Sequence, residues 1–218
     1  MIPKDQVAVY DDNDLGVYEH DNLSKWNGKD HLTNKGKGIS RMGETAYWDE
    51  FRAHDGKTGA ILDKVADGAR IMFGQSFDQD IERLNNHAVA NMDLREIGEN
   101  SKLNKMFDIK NDKGIAQYGP NTGKLLNGKY ATTRSAGNYL AGLNEATGTY
   151  FGSHISWETA IKLAGALQQG QYSKVNAARI IMFGTAFGPA PWYGEIEYTG
   201  RRVQEGFQRG EAQRARTK

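Results

Sequence analysis

Apolar residues recur at spacings of three and four along three stretches of the chain, and these predict its helices. The first opens at Ser76, with Gln79 three residues on, a capping-box arrangement that satisfies otherwise orphan N–H groups. Phe77, Ile81, Leu84, Ala88 and Met92 then form one apolar stripe, predicting a helix to about Glu99. The second stretch, 133–144, places Ala136, Tyr139, Leu140 and Leu143 on one face. The third starts at Ser156, carries Trp157, Ala160, Ile161, Ala164 and Leu167, and stops near Gly170. Two short β-type runs, QVAVY (6–10) and LGVYE (15–19), flank Asp11-Asp12-Asn13-Asp14 and predict a hairpin. The acidic turn invites a calcium-loop reading. However, Leu15 stands where that loop wants Asp or Asn, and Asn22 where it wants a bidentate Glu, so a hairpin turn fits better.

Residues 24–40 are rich in Lys, Gly and Asn and have no periodicity, which reads as a flexible linker. The organisation expected is therefore a hairpin and linker over 1–40, a main body over 41–207, and a basic tail over 208–218. The tail continues a stretch in which Arg201, Arg202, Arg209, Arg214, Arg216 and Lys218 outnumber Glu205 and Glu211, and it reads as solvated. The segments ARIMFG (69–74) and ARIIMFG (178–184) echo each other, but one short echo is no repeat. The fold class expected is mainly α (α+β): a single irregular, Gly-rich helical domain with a few short strands.

Composition narrows the chemistry. The 26 glycines, four prolines and abundant aromatics of this 218-residue chain suit a loop-rich globular fold. A net charge of +1 gives duplex binding no support, since phosphate neutralisation needs a concentrated basic face. The absence of cysteine excludes disulfides and thiolate catalysis. No stretch approaches the roughly 20 apolar residues of a membrane helix, and the first residues do not resemble a signal peptide.

Common catalytic signatures are absent, and no two of the five histidines have helical metal-pair spacing. Only His154 lies in the densest Gly/Asn/Tyr region, which makes it an acid–base candidate. In MFDIK (106–110), Asp108 and Lys110 would share a face if extended. Arg134, Asn138 and Asn144 interrupt an apolar helix, and a buried amide such as Asn138 must either lock a loop or orient a substrate. Glu195 follows a Pro-Ala-Pro-Trp stretch that stiffens the backbone. Desolvation on such an aromatic turn would raise its pKa and suit it to general acid–base work, unless it simply pairs with Arg201 or Arg134. Asp108 with Glu195 supplies two carboxylates for glycoside hydrolysis. Asp108 with Lys110 and Arg134 could instead stabilise a phosphodiester. No cofactor is evident and no metal set is assigned, although Asp108 and Glu195 are compatible with a divalent ion such as Mg²⁺.

Read in order, FDIK, NGKYATTRSAGNYLAG with Asn144, KLAGALQ, and YGEIEYTGR with Gly206 resemble the polymorphic toxin type 44 domain over about residues 100–207. The upstream RMGETAYWDEF (41–51) resembles what often precedes that domain in Rhs-type effectors, and Thr133 departs from the alanine common there. The resemblance implies that 41–207 is the toxin domain. It further implies secretion on an Rhs carrier or through a specialised apparatus such as a type VI system, delivery into the periplasm or cytoplasm of a competing bacterium, and a cognate immunity protein. The positions it carries over are Asp108, Lys110, Arg134, Gly137, Asn138, Tyr193, Glu195, Tyr198 and Arg201.

Three functions follow as expectations. The favoured one is hydrolysis of an envelope glycan such as peptidoglycan, with Asp108, Glu195, Lys110 and His154 catalytic and Arg134, Asn138, Tyr193, Tyr198 and Arg201 binding substrate. The alternative is an RNase-like nuclease acting in the target cytoplasm, with Lys110, Arg134 and Arg201 on phosphate. The third, a pore or binding module, lacks any long amphipathic or apolar segment.

Overall fold

A computed structural model of the chain describes residues 6–10, 15–20, 30–34, 43–55 and 60–216. The fold is α+β and mainly helical. Its helices are α1 Asp78–Asn91, α2 Leu94–Asn100, α3 Lys113–Ala116, α4 Thr133–Thr147, α5 Trp157–Gln168, α6 Lys174–Phe183 and α7 Glu197–Arg216. The strands are β1 Gln6–Tyr10, β2 Leu15–His20, β3 Asp30–Asn34, β4 Gly43–Thr45, β5 Arg52–His54, β6 Ile61–Val65, β7 Arg70–Ser76, β8 Thr122–Leu126 and β9 Lys129–Thr132. They belong to two units interleaved in sequence, Met1–Gln79 with Asp112–Arg134, and Asp80–Asn111 with Ser135–Lys218. Composition changes near residues 40 and 208 mark neither boundary, because long-range strand pairing defines the first unit.

In that unit the strands close into a barrel, ordered β1-β2-β3-β4-β9-β8-β7, with β5 and β6 as a separate pair. Closure removes the unpaired edges that an open sheet exposes. β1 and β2 form the expected antiparallel hairpin, with Val7 opposite Tyr18; the acidic turn at 11–14 lies outside the described residues. Part of the stretch expected as linker is strand β3, paired with β2 and β4, while 24–29 and 35–40 lie outside the described residues. Phe51, Ala69, Ile71 and Tyr130 are buried together. A Cβ on Gly123 would lie 2.6 Å from the Phe51 ring, so glycine lets that ring lie against β8. Two polar contacts tie its interior: the Thr132 N–H donates to Glu50 Oε2 (3.3 Å), and the Thr133 hydroxyl to the Thr122 carbonyl (2.9 Å).

The second unit holds the predicted helices. The Asp78 N–H donates to Ser76 Oγ (3.0 Å), so the first begins where expected. It does not run unbroken to Glu99. Asp93 accepts from the Arg95 and Glu96 N–H groups while Glu96 accepts from the Asp93 N–H, and this capping box starts α2 afresh. Ala136, Tyr139, Leu140 and Leu143 on α4 are buried, as are Ala160, Ile161 and Ala164 on α5. Ser156 caps α5 through the Thr159 N–H.

Glycine sets the closest helix contact. A Cβ on Gly142 of α4 would stand 1.9 Å from the Val203 carbonyl oxygen, and one on Gly206 of α7 1.9 Å from that of Tyr139. The backbones of α4 and α7 therefore touch, which only glycine permits. Helix α7 also absorbs most of the expected tail, remaining helical to Arg216. No described helix is long and apolar enough to cross a membrane.

Candidate functional site

Glu195 lies on the turn between α6 and α7, and that turn is clamped onto α5. A Cβ on Gly165 would sit 2.1 Å from the Tyr193 carbonyl oxygen, so α5 and the turn meet backbone to backbone. The Gln169 amide donates to the Gly194 carbonyl (2.7 Å). The Tyr193 hydroxyl donates to Glu158 Oε1 (3.2 Å), and the Lys162 ammonium reaches the same oxygen (2.7 Å) while lying 4.9 Å from the Tyr193 ring centroid. The turn is preorganised.

From this turn the Glu195 carboxylate folds back over the start of α7. Its Oε1 accepts from the Ile196 N–H (2.8 Å) and from the Thr199 hydroxyl. Burial holds its pKa above the ordinary carboxylate range, and the two hydrogen bonds and the Lys110 charge only partly offset that. It therefore has the raised pKa expected of a desolvated acid on an aromatic turn.

Asp108 and Lys110 lie in the same unit. The Asp108 side chain is buried, and its Oδ2 accepts from the Asn104 N–H and the Asn111 amide, both at 2.7 Å. Those bonds close a tight loop, so MFDIK turns rather than extends. Lys110 Nζ lies 3.9 Å from Asp108 Oδ1 and is half exposed. Its charge also acts on Glu195. Asp108 thus clasps the loop that offers Lys110, and the structure brings Lys110 into the field of Glu195.

The sequence reading missed Glu145. This α4 residue is 8% exposed, and its Oε2 has no hydrogen-bond partner. Burial pushes its carboxyl well above the ordinary range, and the Glu195 charge pushes it the same way. Glu145 is therefore a buried carboxyl that favours its protonated form, close to the more accessible Glu195. It lies opposite the apolar stripe of α4, where periodicity predicts solvent. The available signal was composition: between Arg134 and Glu145, α4 carries no charge on any face, which marks a helix buried all round. Asn144 is buried as well and accepts from the Asn85 amide (2.9 Å), which also donates to Thr147 Oγ1 (2.8 Å).

The other expected residues do separate work. His154 is exposed after α4, and its Nδ1–H donates to the Gly148 carbonyl (2.9 Å). Arg134 belongs to the first unit, where its N–H donates to the Pro120 carbonyl (3.0 Å). Asn138 is half-buried on α4. Tyr198 is half-buried on α7, and Arg201 pairs there with Glu197 (3.3 Å). Among the described residues no group of three or more His, Asp or Glu side chains converges on a metal position. No family model, curated protein or solved structure matches the chain.

Proposed function

We propose that the chain is an antibacterial toxin domain that hydrolyses an envelope glycan, with Glu195 as the general acid. The carrying observation is the pair of buried carboxyls, Glu145 and Glu195, both held above the ordinary carboxylate range. A carboxyl whose burial raises its pKa holds its proton more readily than a solvated one and can give it to a glycosidic oxygen as the C–O bond breaks. Water then adds its hydroxyl to the anomeric carbon, and the remaining proton restores the carboxyl. Glu195, on a clamped turn and part-exposed, is the member that would meet substrate. Glu145, buried close to it, is a positioning residue, and Lys110 limits how far the Glu195 pKa rises.

A phosphodiester reading needs cations free to take phosphate. Lys110 and Arg201 each already stand beside a carboxylate, Asp108 and Glu197. That favours a scissile bond that carries no charge, as a glycosidic bond does.

Expression from a tight promoter, with and without a signal peptide, tests the reading. Lysis confined to the exported form, lost in Glu195→Gln, supports it. Growth arrest by the cytoplasmic form with intact cell walls would overturn it in favour of the nuclease. Failure of purified protein to release soluble fragments from sacculi would also sink it.

A further inference from the structure

The loop after α4 carries an aromatic side chain that the fold does not use. The Tyr150 N–H donates to the Ser153 carbonyl (2.8 Å) and the Ser153 N–H to that of Tyr150 (3.1 Å). Between them Phe151 has φ +49 and Gly152 φ +76. Two consecutive positive φ values define a type I′ turn, whose first central position ordinarily takes Asn, Asp or Gly. An aromatic residue there is strained, and strain retained at an exposed turn points to a use beyond folding. Phe151 is 82% exposed, so burial does not offset the strain.

The ring is nevertheless held in a fixed frame. Its centroid lies 4.5 Å from that of the buried Tyr150, tilted 50°. The Arg95 guanidinium stands over both rings, 5.1 Å from the Tyr150 centroid and 5.8 Å from that of Phe151. Arg95 in turn is fixed to Asp93 Oδ2 by its Nε (3.1 Å) and Nη2 (2.6 Å). Three residues beyond Phe151, His154 commits Nδ1–H to the Gly148 carbonyl, and the tautomer with its proton there leaves Nε2 as an acceptor.

We propose that Phe151 and His154 form a saccharide-binding subsite of the hydrolase. The apolar face of a pyranose stacks on Phe151, and a sugar hydroxyl donates to His154 Nε2. The cation beneath the rings is already paired with Asp93, which argues against a phosphate and for a neutral sugar. The subsite rests on the glycan reading above. The backbone that carries Arg95 is held in turn by the buried Tyr172 hydroxyl, which donates to the Leu94 and Arg95 carbonyls (3.2 and 3.3 Å).

Binding can be measured without turnover in Glu195→Gln protein, using intact sacculi and soluble glycan fragments. Adding Phe151→Asn, which suits the turn, should weaken binding about tenfold, the loss of one aromatic contact, with Tm unchanged or raised. Adding His154→Ala should weaken it about fivefold, as one hydrogen bond would. Unaltered glycan affinity in Phe151→Asn overturns the subsite, as does a loss of binding that only follows a fall in Tm. If the wild type lyses exported cells and Phe151→Asn lyses them equally well, the subsite alone fails. If Glu195→Gln binds no glycan and the wild type does not lyse, the glycan reading itself has failed and the subsite falls with it. Weakened binding of a single-stranded RNA oligonucleotide, with glycan affinity unchanged, would overturn the ligand class.

Discussion

Two hairpin turns in this molecule share one backbone conformation and differ in their residues. Asn127-Gly128 joins β8 to β9 with φ values of +52 and +80, and Phe151-Gly152 follows α4 with +49 and +76. The first uses the pair that adopts positive φ at least cost, and its Asn127 N–H also donates to Asp78 Oδ1 (2.9 Å). Its composition is explained by the barrel it closes. The second holds a Phe where the same geometry favours Asn, and sends the ring into solvent. One turn serves the fold. The other retains a residue the fold does not need, and the same contrast separates the glycines of α4 and α7 from the carboxyls of Glu145 and Glu195.

That contrast predicts opposite signatures for substitutions of the two kinds. The largest effect falls on chemistry: Glu195→Gln should lower turnover by about 10²–10⁴ on released glycan fragments while leaving the urea midpoint unchanged or raised. A variant that instead unfolds would assign Glu195 to the fold. Next, Gly206→Ala forces a methyl into the Tyr139 carbonyl, and a loss of about 3 kcal/mol in urea melts is expected. A stable Gly206→Ala would show that α4 and α7 can part without loss.

Exchanging the turn residues sharpens the comparison directly. Asn127→Phe should lose about 1 kcal/mol as a Phe takes on the strain at positive φ, and Phe151→Asn should gain less than that, because the relieved strain is set against the lost ring contacts with Tyr150 and Arg95. Equal stability of both would remove the contrast. The smallest effect concerns pH. The folded Glu145 carboxyl titrates above its unfolded value, so its contribution is fully present below about pH 4.3 and declines as pH rises toward the folded pKa. Glu145→Gln should therefore be more stable than wild type at pH 7. The gap should close toward pH 4, with a slope no steeper than about 1.4 kcal/mol per pH unit for one proton. A gap that does not vary with pH would mean that Glu145 is ionised in the fold.

Much of the helical unit was legible from local pattern. The stripes of α4 and α5 and the Ser156 cap depend on neighbours within a turn or two, and they formed where periodicity put them; Ser76 meets the Asp78 N–H at the start of α1 in place of the expected box with Gln79. Where a local rule competed with another, the stronger local group won: Asp93 with Glu96 ended a stripe that Met92 seemed to continue. The paired segments at 69–74 and 178–184 show the limit. Nearly the same letters form strand β7 in one place and the end of α6 in the other. Propensity over six residues is a weak force, and long-range pairing or packing decides it.

The sequence by itself determined the stripes of α4 and α5 and the first hairpin, because each follows from residues adjacent along the chain. Only the tertiary structure decided that β7, β8 and β9 join the N-terminal strands in a closed barrel, since strand partners far apart in sequence leave no local trace. It also decided that Glu145 is buried, near enough to Glu195 and Tyr172 for their charges to act on one another. A carboxyl's burial depends on what packs over it, and that is a property of the folded neighbours.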